Sequence, residues 1–107
     1  MSEFDDRKRA QEKKFELDQD LEFKAMNRRN KLLGLWAAGL LGKSGEDANA
    51  YAKEVVMVDY EEAGEDDVFR KVRKDFDAAG VAQSDHQIRQ HMADFMDTAR
   101  AQIRDGV

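Results

Sequence analysis

Four apolar stripes, each recurring at three- and four-residue steps or their multiples, restrict this chain to helices packed side by side. Leu21, Ala25, Leu32, Leu35, Trp36 and Leu40 form the first stripe, and Ala48, Tyr51, Ala52, Val55, Val56 and Tyr60 the second. Val68, Phe69, Val72, Phe76 and Ala79 make the third; Ile88, Met92, Phe95, Met96, Ala99 and Ile103 make the fourth. Gly42, Gly64 and Gly80 follow the first three stripes, where a helix ends on a left-handed residue. Ser44-Gly45-Glu46-Asp47 and Ser84-Asp85-His86-Gln87 read as capping boxes that open the second and fourth helices. Glu65, Asp66 and Asp67 suit the first turn of the third by complementing its dipole. The one β-like run, Val55-Val56-Met57-Val58, is short and flanked by helix formers. The expected fold is therefore all-α, a small four-helix bundle with helices over about 19–42, 45–62, 66–79 and 85–104. Gly39, inside the first helix, costs roughly 1 kcal/mol against alanine, which close approach of a neighbour beside Ala37 and Ala38, or plain tolerance, would explain.

Residues 1–18 differ from the rest. Apart from Phe4, Ala10, Phe15 and Leu17 they offer no stripe to bury, although their composition favours helix and Ser2 with Asp5 fits a capping box. An isolated helix of this length is marginal in water because its nucleus is costly. The chain thus divides into a flexible or marginally helical N-terminal arm, 1–18, that orders on docking, and a four-helix domain, 19–107.

Composition excludes several classes. With 107 residues the chain makes one domain with a single small core. It has no cysteine, so neither disulfides nor a thiolate metal site hold it, and a reducing compartment fits. Met1 is followed at once by Glu3, Asp5 and Asp6, unlike a signal peptide. The longest apolar run, Leu32 to Leu41, is half of the roughly 20 residues that a membrane span needs. A net charge of −5, from 18 basic and 23 acidic residues, argues against nucleic acid as a partner. The expectation is a soluble, acidic, cytoplasmic domain.

Ala37-Ala38-Gly39-Leu40-Leu41-Gly42-Lys43-Ser44 fits a relaxed phosphate-loop pattern, but a helix precedes it and no parallel sheet is in prospect. A C-terminal glycine followed by a capping serine explains it better, which leaves Lys43 and Ser44 as a weak nucleotide contact at a helix start. Asp59, Glu61, Gly64 and Asp67 match positions of a calcium loop, yet Arg70 stands where the bidentate Glu belongs and Ala63 fills another ligand position. His86 and His91, five residues apart, fall on different helix faces, so no metal site is expected. No serine or lysine has a base at a recognisable spacing, and the chain is read as a non-enzyme. Lys24, Arg28 and Lys31, with Arg29 adjacent, share a face of the first helix; a solvated face and a basic patch that meets a partner both stay open. Residues alone thus give a helical domain with a binding arm.

Several segments resemble one family. Phe4-Asp5-Asp6-Arg7, Lys14-Phe15, Arg28-Arg29-Asn30-Lys31-Leu32-Leu33-Gly34-Leu35-Trp36-Ala37-Ala38, Ala50-Tyr51-Ala52-Lys53-Glu54-Val55-Val56 and Asp67-Val68-Phe69-Arg70-Lys71-Val72-Arg73 are similar to the zeta subunits of alphaproteobacterial F-type ATP synthases. The resemblance implies a four-helix inhibitor of ATP hydrolysis, peripheral to the inner membrane through the synthase. Its arm would enter a catalytic interface of the alpha and beta subunits beside the gamma rotor. On this chain the arm would bind through Ser2, Glu3, Phe4, Asp5, Asp6, Arg7, Lys8, Arg9, Gln11, Glu12, Lys14 and Phe15. Ala63 in place of proline, and Gly39 in place of a charged residue, depart from the family pattern. No cofactor is implied beyond weak purine-nucleotide binding. A nucleotide-sensing bundle acting apart from the synthase is the competing reading, and a plain scaffold with an idle tail is a third.

Overall fold

The computed structural model describes the backbone of residues 2–61 and 65–106, and side chains over 20–58 and 65–106. Its elements are four helices: α1 (Ser2–Leu40), α2 (Gly45–Glu61), α3 (Glu65–Ala79) and α4 (Asp85–Arg104). No strand occurs among the described residues. The helices expected from periodicity are all present. Helix α1 begins at Ser2, so the arm and the first helix of the bundle form one element.

Helix α1 packs against all three others, chiefly α2 and α4. The central cluster joins Leu33, Ala37 and Ala38 of α1 to Tyr51 and Val55 of α2, Val68, Val72 and Phe76 of α3, and Ile88 and Met92 of α4. A second cluster, nearer the arm, sets Ala25 of α1 against Met96 and Ala99 of α4. The apolar stripes of α2, α3 and α4 face the core as their spacing predicts, except that Ala79 is exposed; the Tyr60 side chain lies outside the described residues. In α1 the expected stripe is displaced. Leu21 and Leu40 lie on the surface at 38% and 41% exposure; of the expected stripe Ala25 is buried, and beside it Leu33, Ala37 and Ala38, outside that stripe, are buried too. Small side chains occupy the inner face because α1 runs close to its neighbours.

Gly34 shows how close. A Cβ at this position would stand 2.6 Å from the Ala52 Cα and 3.1 Å from its Cβ, so α1 and α2 meet backbone to backbone. The close approach expected beside Gly39 is not there: nothing lies within 4 Å of a Cβ built at that residue.

The turns close as glycine chemistry dictates. Gly42, at φ +80°, donates to the Gly39 carbonyl, and the Lys43 amide donates 2.8 Å to that of Ala38, completing a Schellman motif. Gly80, at φ +70°, repeats the arrangement, with the Val81 amide on the Phe76 carbonyl. Gly64, the expected stop of α2, lies outside the described residues. Ser84 forms a full capping box with Gln87. Ser44 does not. Gly45 enters α2 at φ +55°, outside the right-handed helical region, and Ser44 gives only its carbonyl to the Ala48 amide.

A polar link ties α2 to α3. The buried Tyr51 hydroxyl donates 2.8 Å to Asp75 Oδ2, which also accepts from Lys71 Nζ at 3.0 Å. Lys71 stands 5.1 Å from the Tyr51 ring centroid and 3.4 Å from Glu54. Burial first, and then the bond to Asp75, push the Tyr51 hydroxyl far above the ordinary phenol range.

Gly34→Ala lowers unfolding stability by about 1–3 kcal/mol because the Ala52 backbone must give way, while Gly39→Ala raises it by up to ~1 kcal/mol through helix propensity; urea unfolding of the two variants reads opposite signs. Tyr51→Phe loses about 1 kcal/mol at neutral pH. The folded hydroxyl titrates above its unfolded value of about 10, so its contribution is complete below that pH and fades as pH rises. Urea midpoints of wild type and Tyr51→Phe therefore converge above about pH 10.

Candidate functional site

Three regions carry the residues singled out by sequence: the arm, the neck where α1 leaves the bundle, and the turn between α1 and α2. Of the arm, the backbone is helical from Ser2. The side chains of Ser2, Glu3, Phe4, Asp5, Asp6, Arg7, Lys8, Arg9, Gln11, Glu12, Lys14 and Phe15 lie outside the described residues.

The neck is held by α4 and by the start of α3. Ala25 is 1% exposed against Met96 and Ala99, with Met26, Leu32 and Ile103 packed around them. Outside this seam Arg100 makes a forked contact with Glu22, at 2.6 Å to Oε1 and 3.3 Å to Oε2. That guanidinium holds the Glu22 carboxyl below the usual carboxylate range, its hydrogen bond being the largest cause. One turn and a half further on, Arg28 donates to Gln102 Oε1. Leu21 and Phe23 remain exposed beside these contacts, Phe23 at 51%.

The four cations of the expected basic face divide. Lys24 and Lys31 are exposed and Arg28 is half-buried. Arg29 is only 3% exposed; its Nε donates 3.0 Å to Asn30 Oδ1, and Nη1 lies 3.3 Å from Glu65 Oε1 at the start of α3. Asn30 is itself fully buried. A guanidinium so placed needs its partners, because an unpaired buried charge is costly. Arg29 therefore orients α1 against α3 instead of meeting solvent.

At the α1–α2 turn, Lys43 borders a depression of about 420 Å³ shared with Leu41, Asp47, Tyr51, Glu54 and Asp75. The depression's carboxylates are those of Asp47, Glu54 and Asp75, the last two bridged by Lys71. Ser44 is exposed.

Trp36, the lone tryptophan, is half-buried and bridges α1 to α4. It stacks on His91 with centroids 4.1 Å apart at 18°, and it also meets Phe76 edge-on at 5.5 Å and Phe95 at a tilt at 6.3 Å. His91 Nδ1 lies 2.9 Å from the Gln87 carbonyl, one turn back on α4. No cluster of three or more metal-ligating side chains occurs among the described residues. Nor is any helix, within those residues, long and apolar enough to cross a membrane.

Sequence reasoning missed the neck contacts Glu22–Arg100 and Arg28–Gln102. Their partners stand more than 70 positions apart in the chain, and no local spacing announces them.

Among curated proteins, none matches this chain. A chain solved by solution NMR is 49% identical to it, covers 81% of its length and 99% of its own, and superposes with a TM-score of 0.71. The family model described as ATPase inhibitor subunit zeta matches residues 1–102. Matched over nearly its whole length, with the arm, the Arg28–Ala38 block, the first three helices and all but the last two residues of α4 inside the match, the chain belongs to the ATPase inhibitor subunit zeta family.

Proposed function

We propose that this protein restrains ATP hydrolysis by the F-type ATP synthase by wedging its N-terminal arm into a catalytic interface of the alpha and beta subunits, beside the gamma subunit. The observation that carries the reading is the continuity of α1 from Ser2 to Leu40. Arm and bundle share one helix, so the bundle acts as the handle of a rod whose tip does the work. The seventeen helical residues 2–18 extend about 26 Å, enough to enter a cleft between subunits while the bundle stays outside.

The physics of such an inhibitor is positional. An arm rich in alternating charges gains little by folding back on its own core and gains charge-assisted contacts in a polar cleft. Phe4 and Phe15, eleven positions apart in an otherwise charged stretch, supply apolar anchors for pockets there. Because the arm continues a helix that the bundle already nucleates, docking avoids much of the about 1–2 kcal/mol per backbone residue that ordering a coil would cost. Closing a catalytic interface around a helix stops rotation without any chemistry by the inhibitor. The Glu22–Arg100 contact and the Ala25–Ala99 seam fix the direction in which the rod leaves the bundle. Nothing in this mechanism asks the protein for a nucleophile, a base or a cofactor.

Deleting residues 2–18 tests it. The truncated chain keeps the helical circular-dichroism spectrum and cooperative unfolding of the bundle, and it loses inhibition of ATP hydrolysis by the isolated catalytic sector by at least about 100-fold in potency, as removal of several anchoring residues requires. A truncated chain that inhibits as well as the full one contradicts the proposal.

A further inference from the structure

The α1–α2 side of the bundle carries a feature that the wedge does not use. A groove of about 540 Å³ opens between Lys31 of α1 and Asn49, Lys53, Val56 and Met57 of α2, over the buried Ala52. Its origin is the close crossing at Gly34. Where two backbones meet at glycine and alanine, only short side chains sit in the seam, and the longer ones stand along its rim.

Three properties set this groove apart from ordinary surface. Met57 is 55% exposed, the most exposed of the large apolar side chains described. A flexible, polarisable methionine at a rim is adaptable to more than one apolar partner. The lining holds two ammonium groups and no carboxylate, on a chain with 23 acidic and 18 basic residues. Neither lysine has an ion pair among the described residues. Glu54, the carboxylate next in sequence to Lys53, is turned the other way and lies 3.4 Å from Lys71 of α3. Lys24, two turns before Lys31 on α1, is exposed and extends the same charge. The groove is therefore a local patch of positive potential around an apolar floor.

We propose that this groove is a second docking site, which takes an amphipathic helix with an apolar face and acidic flanks, presented by the outer surface of the ATP synthase. The charge pattern selects that occupant: apolar residues enter beside Val56 and Met57 while carboxylates reach Lys31 and Lys53. A second copy of this chain is the competing occupant and is read out by the test. The proposal rests on the wedge reading, and gives the bundle a task within it. With the groove engaged, the arm binds as the second half of a two-point attachment, at a high effective concentration near its cleft.

The experiment uses the full-length chain and the isolated catalytic sector, with binding by fluorescence anisotropy measured beside ATP hydrolysis. Lys31→Glu/Lys53→Glu and, separately, Met57→Asp change exposed groups and leave the thermal unfolding midpoint close to wild type. Each weakens binding and raises the half-inhibitory concentration by about tenfold or more, while inhibition at saturation stays complete. Lys31→Arg/Lys53→Arg retains wild-type potency, and added salt weakens wild type more than the charge-reversed protein. A photo-crosslinker replacing Met57 traps a segment of the catalytic sector bearing acidic residues. Wild-type binding and inhibition by both the charge-reversed and Met57→Asp proteins overturns the groove alone, as does crosslinking only to a second copy of this chain. Binding that depends on Lys31 and Lys53 without any inhibition by wild type supports the groove and overturns the wedge. A wild-type chain that neither binds nor inhibits removes both.

Discussion

The contact of Gly34 with Ala52 governs the architecture. It lets α1 and α2 approach at backbone distance, which places Leu33, Ala37 and Ala38 deep enough to touch the other three helices. A bulkier residue at either position would push the axes apart and open the seam that Tyr51 and Val55 now fill. Because α1 is the element every other helix packs on, a displacement there is felt by the entire bundle. The same contact creates the groove beside Lys31 and Met57, since a seam of small residues cannot fill its own margin. Stability and the proposed docking groove thus share one cause.

The continuity of α1 changes how the arm folds. A free helix of this length pays for a nucleus with an equilibrium constant of roughly 10⁻³ before any residue gains from propagation, about 4 kcal/mol. Here the nucleus already exists, held between Ala25 and Leu40 by the bundle, so each arm residue only extends an existing helix. An arm with no apolar stripe can then be helical without packing on the domain. Sequence composition alone, which weighs the arm as an isolated segment, cannot register that help.

The apolar spacing made α2, α3 and α4 legible because each is a surface helix with one face buried, the case that periodicity describes. It misjudged α1 for a definite reason. Counting hydrophobicity favours the large Leu21 and Leu40, whereas the packing of a central helix favours Leu33, Gly34, Ala37 and Ala38. The polar character of Arg29 and Asn30 hid their burial, which depends on a pairing with Glu65 thirty-six residues away. Gly39 drew attention as an unusual helix residue while Gly34 carried the contact; a glycine's neighbours in space, not its position in a pattern, decide its role. Of the two proposed binding surfaces, the arm was recognisable from what it lacks. The groove was not, because Lys53 and Met57 sit off the stripe of α2 and only the crossing with α1 gathers them.

Magnitudes decide which contacts transmit force from arm to bundle. The Glu22–Arg100 pair is about half exposed on both sides, and such pairs contribute at most about 1 kcal/mol and weaken with salt. The seam of Ala25, Met96 and Ala99 is apolar and nearly dry, and so is insensitive to ionic strength. Next to it Arg29 is buried with Asn30, an arrangement that tolerates little movement because any shift leaves a charge without partners. Under the proposed wedge, torque on the arm would be resisted by the inner face of α1, between Ala25 and Leu33, while the surface pair sets only the direction at rest.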